Sequence, residues 1–300
     1  MRHPISLWLA ATRPAFLSVT LVAVLIGLAS AAHDHTFRSL PLAAVTLFFA
    51  LVAHAGANVI NDYYDARSGC DALNMDRIAP FTGGSRFIQN GILTEQQTGQ
   101  YGYALLALVI PAGLWLITQS GHWLFPIGMT GLVCGWAYSS PPLRLQSRGL
   151  GELAIVLAWL SIVVGSDYVQ SQTLTPTALY AGLAYAPLVA NVLFVNQIPD
   201  RIADAAAGKN TLIVRHTPSI APWGSLLLYT VSLTVLIFGI VQEALPMSAV
   251  AALVVAIPAS RGLLALYTDA SDPNQLRIAI PATILSCLLF GLGLSASLIL

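Results

Sequence analysis

Residues 41–71 read Pro41-Leu-Ala-Ala-Val-Thr-Leu-Phe-Phe-Ala-Leu-Val-Ala-His54-Ala-Gly-Ala-Asn58-Val-Ile-Asn61-Asp62-Tyr63-Tyr64-Asp65-Ala-Arg67-Ser-Gly69-Cys70-Asp71. The stretch 41–60 contains no acidic residue, lysine or arginine, and roughly 20 such residues suffice for a membrane-spanning helix. The eleven that follow hold Asp62, Asp65, Arg67 and Asp71. An apolar run that passes straight into a charged one sets carboxylates at a membrane boundary, where charge without a partner is costly.

The rest of the chain follows the same plan. Of its 300 residues 56% are hydrophobic and 9% charged, against about 25% charged in soluble domains. Mean hydropathy is +0.75. So few charges cannot cover a water-facing surface, and most of this one must meet lipid. The net charge of zero gives no footprint for nucleic acid. Cys70, Cys134 and Cys287 are too widely spaced for a metal-ligand pair and read as packing residues.

Nine candidate spans lie at 15–32, 41–60, 98–118, 122–138, 150–168, 177–195, 222–241, 247–267 and 278–300. Only Gln119, Ser120 and Gly121 separate the third from the fourth. The expected fold is all-α, a polytopic membrane protein of one domain over residues 1–300. Residues 1–10 carry Arg2 but no signal-peptide cleavage pattern, so the first span reads as a retained helix.

With nine spans, twelve of the thirteen basic residues fall on one side and only Arg38 on the other. The positive-inside rule makes the rich side cytoplasmic, with the N-terminus inside and the C-terminus outside, in an inner (cytoplasmic) membrane. Ten of the thirteen carboxylates sort to the same side, leaving Asp34, Asp167 and Glu243 outside. Acids contribute little to topology, so this second bias points to function. The two longest connections on that face, 61–97 and 197–221, hold most of the charge. Ile78, Phe81, Phe87 and Ile88 in the first predict that it folds as a cap.

A second acidic stretch closes the sixth span: Asn196-Gln197-Ile-Pro199-Asp200-Arg201-Ile-Ala-Asp204-Ala-Ala-Ala-Gly208-Lys209. In both stretches an Asn precedes an Asp by four residues: Asn58 and Asp62, Asn61 and Asp65, Asn196 and Asp200. Residues i and i+4 share a helix face, so Asn196, Asp200 and Asp204 form one polar stripe. Any single Asp here reads equally as a cap or a solvated loop residue. The repetition is what points to two half-sites facing a central cavity.

Several carboxylates converging at a membrane boundary repel one another, and divalent cations relieve this. A donor set of Asp and Asn without His or Cys favours Mg2+ over zinc or copper. Mg2+ binds through one or two carboxylates plus substrate phosphates, which suits a diphosphate. The two stretches together offer oxygen side chains of this kind from Asn61, Asp62, Asp65, Asp71, Asn196, Asp200 and Asp204. Lys209, the sole lysine, with Arg67, Arg77, Arg86 and Arg144, supplies cations for the diphosphate. Singly, these arginines read as topology determinants. The turn Gly83-Gly84-Ser85 offers backbone N–H groups to an anion. Asn58, Ser85, Arg86 and Gln197 complete the substrate-binding candidates.

These stretches resemble the signature motifs of the UbiA superfamily of membrane prenyltransferases. Thr82-Gly-Gly-Ser-Arg-Phe-Ile-Gln89, Tyr138-Ser-Ser-Pro-Pro-Leu-Arg144, Arg148-Gly-Leu-Gly-Glu152 and Asp204-Ala-Ala-Ala-Gly-Lys-Asn-Thr-Leu212 resemble its menaquinone branch, the 1,4-dihydroxy-2-naphthoate polyprenyltransferases. The likeness spans roughly residues 13–215. It implies nine helices around a central cavity with cytoplasmic cap loops, and Mg2+ on a prenyl diphosphate held by the metal candidates Asn61, Asp65 and Asp71, with Asp62 added, from the first motif and Asn196, Asp200 and Asp204 from the second. It further implies that the allylic diphosphate ionises and that an aromatic ring attacks the cation, with loss of CO2 when the ring is dihydroxynaphthoate. Tyr63, Tyr64, Phe87 and Tyr138 are candidates for the π faces such a cation needs, and each alone reads equally as an interfacial aromatic. The second motif departs from the family's usual Asn-Asn-x-Arg-Asp, and its Pro199 predicts a kink before the ligands. Other acceptors, 4-hydroxybenzoate or homogentisate, remain open within the family. A secondary transporter is the alternative from another class, but transporters place their sites near the bilayer midplane. His54 and His122 read as structural. Glu152 is accounted for by its place at a helix start, with a role near the acceptor as the other reading.

Overall fold

The computed structural model describes residues 4–300, which form helices and turns with no β-strand among them. Arg2, used above to assign sides, lies outside the described residues. Twelve α-helices follow in order: α1 (Ile5–Ala11), α2 (Leu17–His33), α3 (Leu40–Ser68), α4 (Cys70–Leu73), α5 (Glu95–Ser120), α6 (Leu124–Ala137), α7 (Gly151–Ser171), α8 (Pro176–Ala206), α9 (Leu212–Arg215), α10 (Ala221–Val241), α11 (Ala256–Asp269) and α12 (Pro273–Ile299). Eight helical segments among the described residues are long and apolar enough to cross a membrane. The expected fourth span is the shorter α6, whose 14 residues extend about 21 Å at a rise of about 1.5 Å per residue.

The long helices start where the sequence supplies caps. Ser39 accepts from the Leu42 N–H ahead of α3, with Pro41 in the first turn. Thr94 and Gln97 form a reciprocal capping box on α5. Thr175 caps α8 and Asp272 caps α12, each followed by proline. The ends differ from expectation. Hydropathy put the second span's end at Ile60 and the sixth's at Val195, yet α3 continues to Ser68 and α8 to Ala206. Hydropathy marks where the apolar run ends, and the helical hydrogen bonds carry on past it beneath the cap. The α3 helix stops only at Gly69, in the left-handed region at φ 78°, and α8 runs through both Pro187 and Pro199. Both acidic stretches are therefore helical, and the loops after them are shorter than read from the sequence.

Helix α8 is the axis of the bundle: 78% of its apolar window is buried, against 17% for α5 at the lipid-facing periphery. Tyr185 on α8 is fully buried, and its hydroxyl donates to the Val19 carbonyl of α2 at 3.0 Å. At one end of the bundle Arg38 donates to the Gln119 carbonyl (2.8 Å) and the Val169 carbonyl (2.9 Å), tying the start of α3 to the ends of α5 and α7. Thr177 at the start of α8 donates to Asp34 there, at 2.8 Å. At the opposite end Asn61 donates to Ser139, just past α6, at 3.0 Å. The α6 segment thus connects the Ser120 end of the bundle to the Asn61 end.

The connection after α4 folds back as expected of a cap. Ile78 is buried among Phe194, Val195, Ile198 and Ile213, with Phe81 against them, while Phe87 and Ile88 are half-buried.

Where α2 crosses α7, a Cβ on Gly27 would stand 2.3 Å from the Val163 carbonyl oxygen and 2.7 Å from Ser166 Cβ. Backbone cannot yield as a side chain does, so Gly27→Leu forces the helices apart. A loss of about 1–3 kcal/mol is expected, read as a lower unfolding temperature in detergent. Gly113→Leu, where the added group meets nothing, should match wild type. Equal stability of the two variants would refute the close crossing.

Candidate active site

The C-terminal ends of α3 and α8 meet at one end of a cavity of about 200 Å3. Asp65, Asp71, Asp200 and Asp204 line that end, with Asn61, Asn74, Arg13 and Lys209. Val19, Ala57, Cys134, Ala158, Trp159 and Val192 line the other. One end carries charge and the other is apolar.

Lys209 joins the two motifs. Its Nζ lies 2.6 Å from Asp65 Oδ1 on α3 and 3.4 Å from Asp204 Oδ1 on α8. Burial alone would lower its pKa, but Asp65 and Asp204 overcome this and hold the ammonium well above the usual lysine range. Gly208, at φ +75°, makes the turn out of α8 that brings it back. A second contact ties α8 to the cap: Asn74 Nδ2 donates to Asp200 Oδ1 at 2.6 Å, and the Gly83 N–H donates to Asp200 Oδ2 at 3.4 Å. Asp62 ion-pairs with Arg13 and accepts from the Ser85 N–H at 3.1 Å. The glycine turn thus directs two N–H groups to the protein's own carboxylates. It packs so closely that a Cβ on Gly84 would sit 3.0 Å from both Arg13 Nη2 and Asp62 Oδ1.

Of the three Asn–Asp pairs read from spacing, one forms: Asn61 Nδ2 donates to Asp65 Oδ2 at 3.1 Å. Asn58 donates instead to the Thr12 carbonyl at 3.0 Å, and Asn196 Oδ1 has no partner. Asp71 is buried beneath Gln89, which donates to it at 3.2 Å, while the Arg86 side chain donates to the Asp71 carbonyl. Asn58, Asn196, Gln197 and Tyr138 line the cavity. Tyr63, Tyr64, Arg67, Arg77 and Arg144 do not. Arg67 is exposed and donates to the Tyr63 hydroxyl at 2.9 Å, Tyr64 meets Tyr103 at 2.7 Å, and Arg77 and Arg144 are exposed. Tyr63 and Tyr64 sit on the α5 side of α3: a Cβ on Gly99 of α5 would meet the Tyr63 ring at 3.0 Å.

Several cavity residues went unmarked in the sequence. Arg13 was read for topology alone, yet its left-handed backbone (φ 55°) ahead of Pro14 aims the guanidinium at Asp62. Asn74, three residues past Asp71, had only its proximity to the motif as a signal. Cys70 donates to Asp204 Oδ1 at 3.0 Å, and burial pushes its thiol up, so it stays a neutral donor. His54 bonds Thr20 at 2.8 Å as a structural histidine does, and also forms part of the cavity wall beside Trp159.

Carboxylates outnumber the cations that pair with them. Burial, then Asp65 and Asp62, raise Asp71 to about 7. Buried oxygens without a hydrogen-bond partner include Asn74 Oδ1, Asn196 Oδ1 and Gln197 Oε1. Among the described residues no three His, Cys, Asp or Glu side chains form a ready-made metal cage. An excess of acid, the spare amide oxygens of Asn74 and Asn196 and an open centre fit Mg2+, which completes its shell with water and substrate phosphate.

A family model described as UbiA prenyltransferase family matches residues 8–295. The 1,4-dihydroxy-2-naphthoate octaprenyltransferase of Escherichia coli (strain K12) is 31% identical over 216 residues, covering 69% of this chain and 68% of that one. The Mycobacterium tuberculosis protein of the same name is 31% identical over 212 residues, 69% of each chain. A solved structure of a UbiA homolog from Archaeoglobus fulgidus bound to DMAPP and Mg2+ matches with a TM-score of 0.67 and 18% identity, covering 97% of this chain and 98% of that one.

Lys209→Met leaves Asp65 and Asp204 buried without their shared cation, a change that costs on the order of 3–5 kcal/mol. The expected result is a clearly lower unfolding temperature in metal-free detergent. A variant as stable as wild type would remove the bridge from the account.

Proposed function

The chain belongs to the UbiA prenyltransferase family and is an integral membrane aromatic prenyltransferase; from that premise we propose that it transfers a polyprenyl group from prenyl diphosphate to 1,4-dihydroxy-2-naphthoate with the aid of Mg2+. The observation that carries this reading is the two-ended cavity: carboxylates of α3 and α8 at one end, apolar side chains at the other. A diphosphate head with a hydrocarbon tail has the same polarity. The acceptor rests on the relatives from Escherichia coli and Mycobacterium tuberculosis, which carry that substrate in their names.

Asp65, Asp71, Asp200 and Asp204, with Asp62, Asn61 and Asn196, are the oxygen donors assigned to Mg2+. When bound, the metal neutralises diphosphate oxygens and makes the diphosphate a better leaving group. Lys209 and Arg13 have N–H groups left over from their ion pairs to turn toward the same oxygens. The Lys209 bridge also holds the two acidic helix ends at a fixed separation, so little reorganisation is needed as the allylic C–O bond breaks. Trp159, Phe16 and Tyr138 give the cavity π faces for the allyl cation. The apolar walls exclude the water that would quench it.

A second cavity of about 260 Å3 shares His54, Ala57, Gly135, Ala158 and Trp159 with the first. It continues between α3, α5, α6 and α7 to the lipid-exposed Phe125 and Met129. It is the assigned route for the isoprenoid tail into the bilayer. Counting α6 as a crossing gives nine, with the acidic end and the N-terminus cytoplasmic and the C-terminus outside, in the inner membrane. In support, Arg13, Arg86 and Lys209 gather at the acidic end and Arg38 at the other. No observation favours transport, since the carboxylates sit at the end of the bundle and not midway along it.

Purified protein with a prenyl diphosphate and dihydroxynaphthoate should yield the prenylated, decarboxylated product by mass spectrometry. EDTA should stop turnover and Mg2+ restore it. Asp65→Ala and Asp200→Ala should each lower kcat by at least about a hundredfold with the fold retained. Turnover in EDTA, or full activity of both variants, removes the metal assignment. Product from 4-hydroxybenzoate or homogentisate in place of dihydroxynaphthoate reassigns the acceptor.

A further inference from the structure

Gln197 stands at the junction of the cavity's two ends, three residues before Asp200 on α8. It is 7% exposed and forms part of the cavity wall. Its Nε2 donates to Glu152 Oε1 of α7 at 2.9 Å. Glu152 lies in the first turn of α7, where the helix N-terminus favours a carboxylate. A carboxylate can only accept, so the amide cannot be reversed without setting oxygen against oxygen. Glu152 therefore fixes which end of the Gln197 amide is left over, and that end is Oε1. This buried oxygen has no hydrogen-bond partner.

An acceptor oriented this way in a wall that is otherwise largely apolar asks for a donor from whatever fills the cavity. No donor among the described residues, Lys209 and Arg13 included, hydrogen-bonds to this oxygen. Of the two substrates in the reading above, prenyl diphosphate offers acceptor oxygens and hydrocarbon. Only the aromatic acceptor carries O–H groups. We propose that Gln197 is the specificity residue for the aromatic acceptor, taking a hydrogen bond from a ring hydroxyl, and that Glu152 is the positioning residue that holds the amide oxygen toward the cavity.

The substrate class follows: a hydroxyarene with a free O–H at the position facing α8. An O-methylated ring keeps its electron-donating oxygen and loses the hydrogen. A site built to bond a hydroxyl discriminates strongly against the analogue that lacks it. The inference rests on the prenyl-transfer reading, and its test separates the two.

Full-length protein in detergent is assayed with a fixed prenyl diphosphate and Mg2+. Dihydroxynaphthoate is compared with its two mono-O-methyl ethers. Wild type should show a KM at least about tenfold higher for one of the ethers. Gln197→Leu should raise the KM for dihydroxynaphthoate about tenfold, leave the KM for prenyl diphosphate within about twofold, and bring the ether-to-hydroxyl ratio close to one. Glu152→Leu, which lets the amide turn, should reproduce that pattern. Glu152→Gln, whose amide oxygen still accepts from Nε2, should restore most of the discrimination. An unmoved acceptor KM in Gln197→Leu overturns the proposal, as does a parallel rise in both KM values, which marks a packing role or a site that water alone satisfies. Absence of prenyl transfer by wild type to any hydroxyarene overturns the functional reading and this proposal with it. Wild-type transfer with no hydroxyl preference overturns this proposal alone.

Discussion

Five carboxylates, Asp62, Asp65, Asp71, Asp200 and Asp204, gather at one end of a helical bundle, and two cations pair with three of them, Arg13 with Asp62 and Lys209 with Asp65 and Asp204. Mutual repulsion among buried acids is the constraint that the surrounding structure answers. Lys209 reaches across from beyond α8 to Asp65 on α3, so the ends of two helices far apart in sequence share one charge. Arg13 answers Asp62 from the segment before α2. Amides and backbone N–H groups from the cap take up what remains: Asn74 and Gly83 on Asp200, Ser85 on Asp62, Gln89 on Asp71. The cap is therefore part of the site's electrostatics as well as its cover. Its apolar foot, Ile78, anchors it to α8 beside Phe194 and Ile198.

The neutralisation is incomplete, and this is the functional point. A cluster fully matched by Arg and Lys would have no need of a metal or a phosphate. Here the surplus acid and the unpartnered amide oxygens face a cavity that is apolar a few residues further in. The two helices that present carboxylates at one end, α3 and α8, present Ala57 and Val192 below it, and Val19 of α2 and Ala158 of α7 also line the cavity. Polarity therefore changes along the helix axes, so one molecule with a charged head and a hydrocarbon tail satisfies both ends.

Much of this was legible in the residues. Apolar run length gave the helices, and the Asn61–Asp65 spacing gave a contact that forms at 3.1 Å. What escaped did so for physical reasons. The apolar spans end before the helices do because hydropathy tracks lipid contact, whereas α3 keeps its hydrogen bonds until the left-handed Gly69. The i, i+4 rule puts Asn58 and Asp62 on one face, but each found a stronger partner elsewhere, the Thr12 carbonyl and Arg13. No local pattern marks a partner 49 residues away in sequence. Arg67 and Tyr63 belong to the first motif by sequence, yet helical rotation turns them toward α5 and solvent. Gln197 is a substrate-binding candidate from its place in the second motif, which says nothing of how its amide points. The orientation of its amide depends on Glu152, brought to it by the packing of α7 on α8.

The central claim is that the acidic ends of α3 and α8 act on one diphosphate. Calorimetric binding of an unreactive prenyl thiodiphosphate tests it directly, in wild type, Asp65→Asn, Asp200→Asn and the double variant. Binding should require Mg2+, weaken in each single variant, and weaken in the double variant by clearly less than the sum of the two, as expected of groups that share a ligand. Additive losses, or tight binding that persists in EDTA, would contradict a shared metal-diphosphate site.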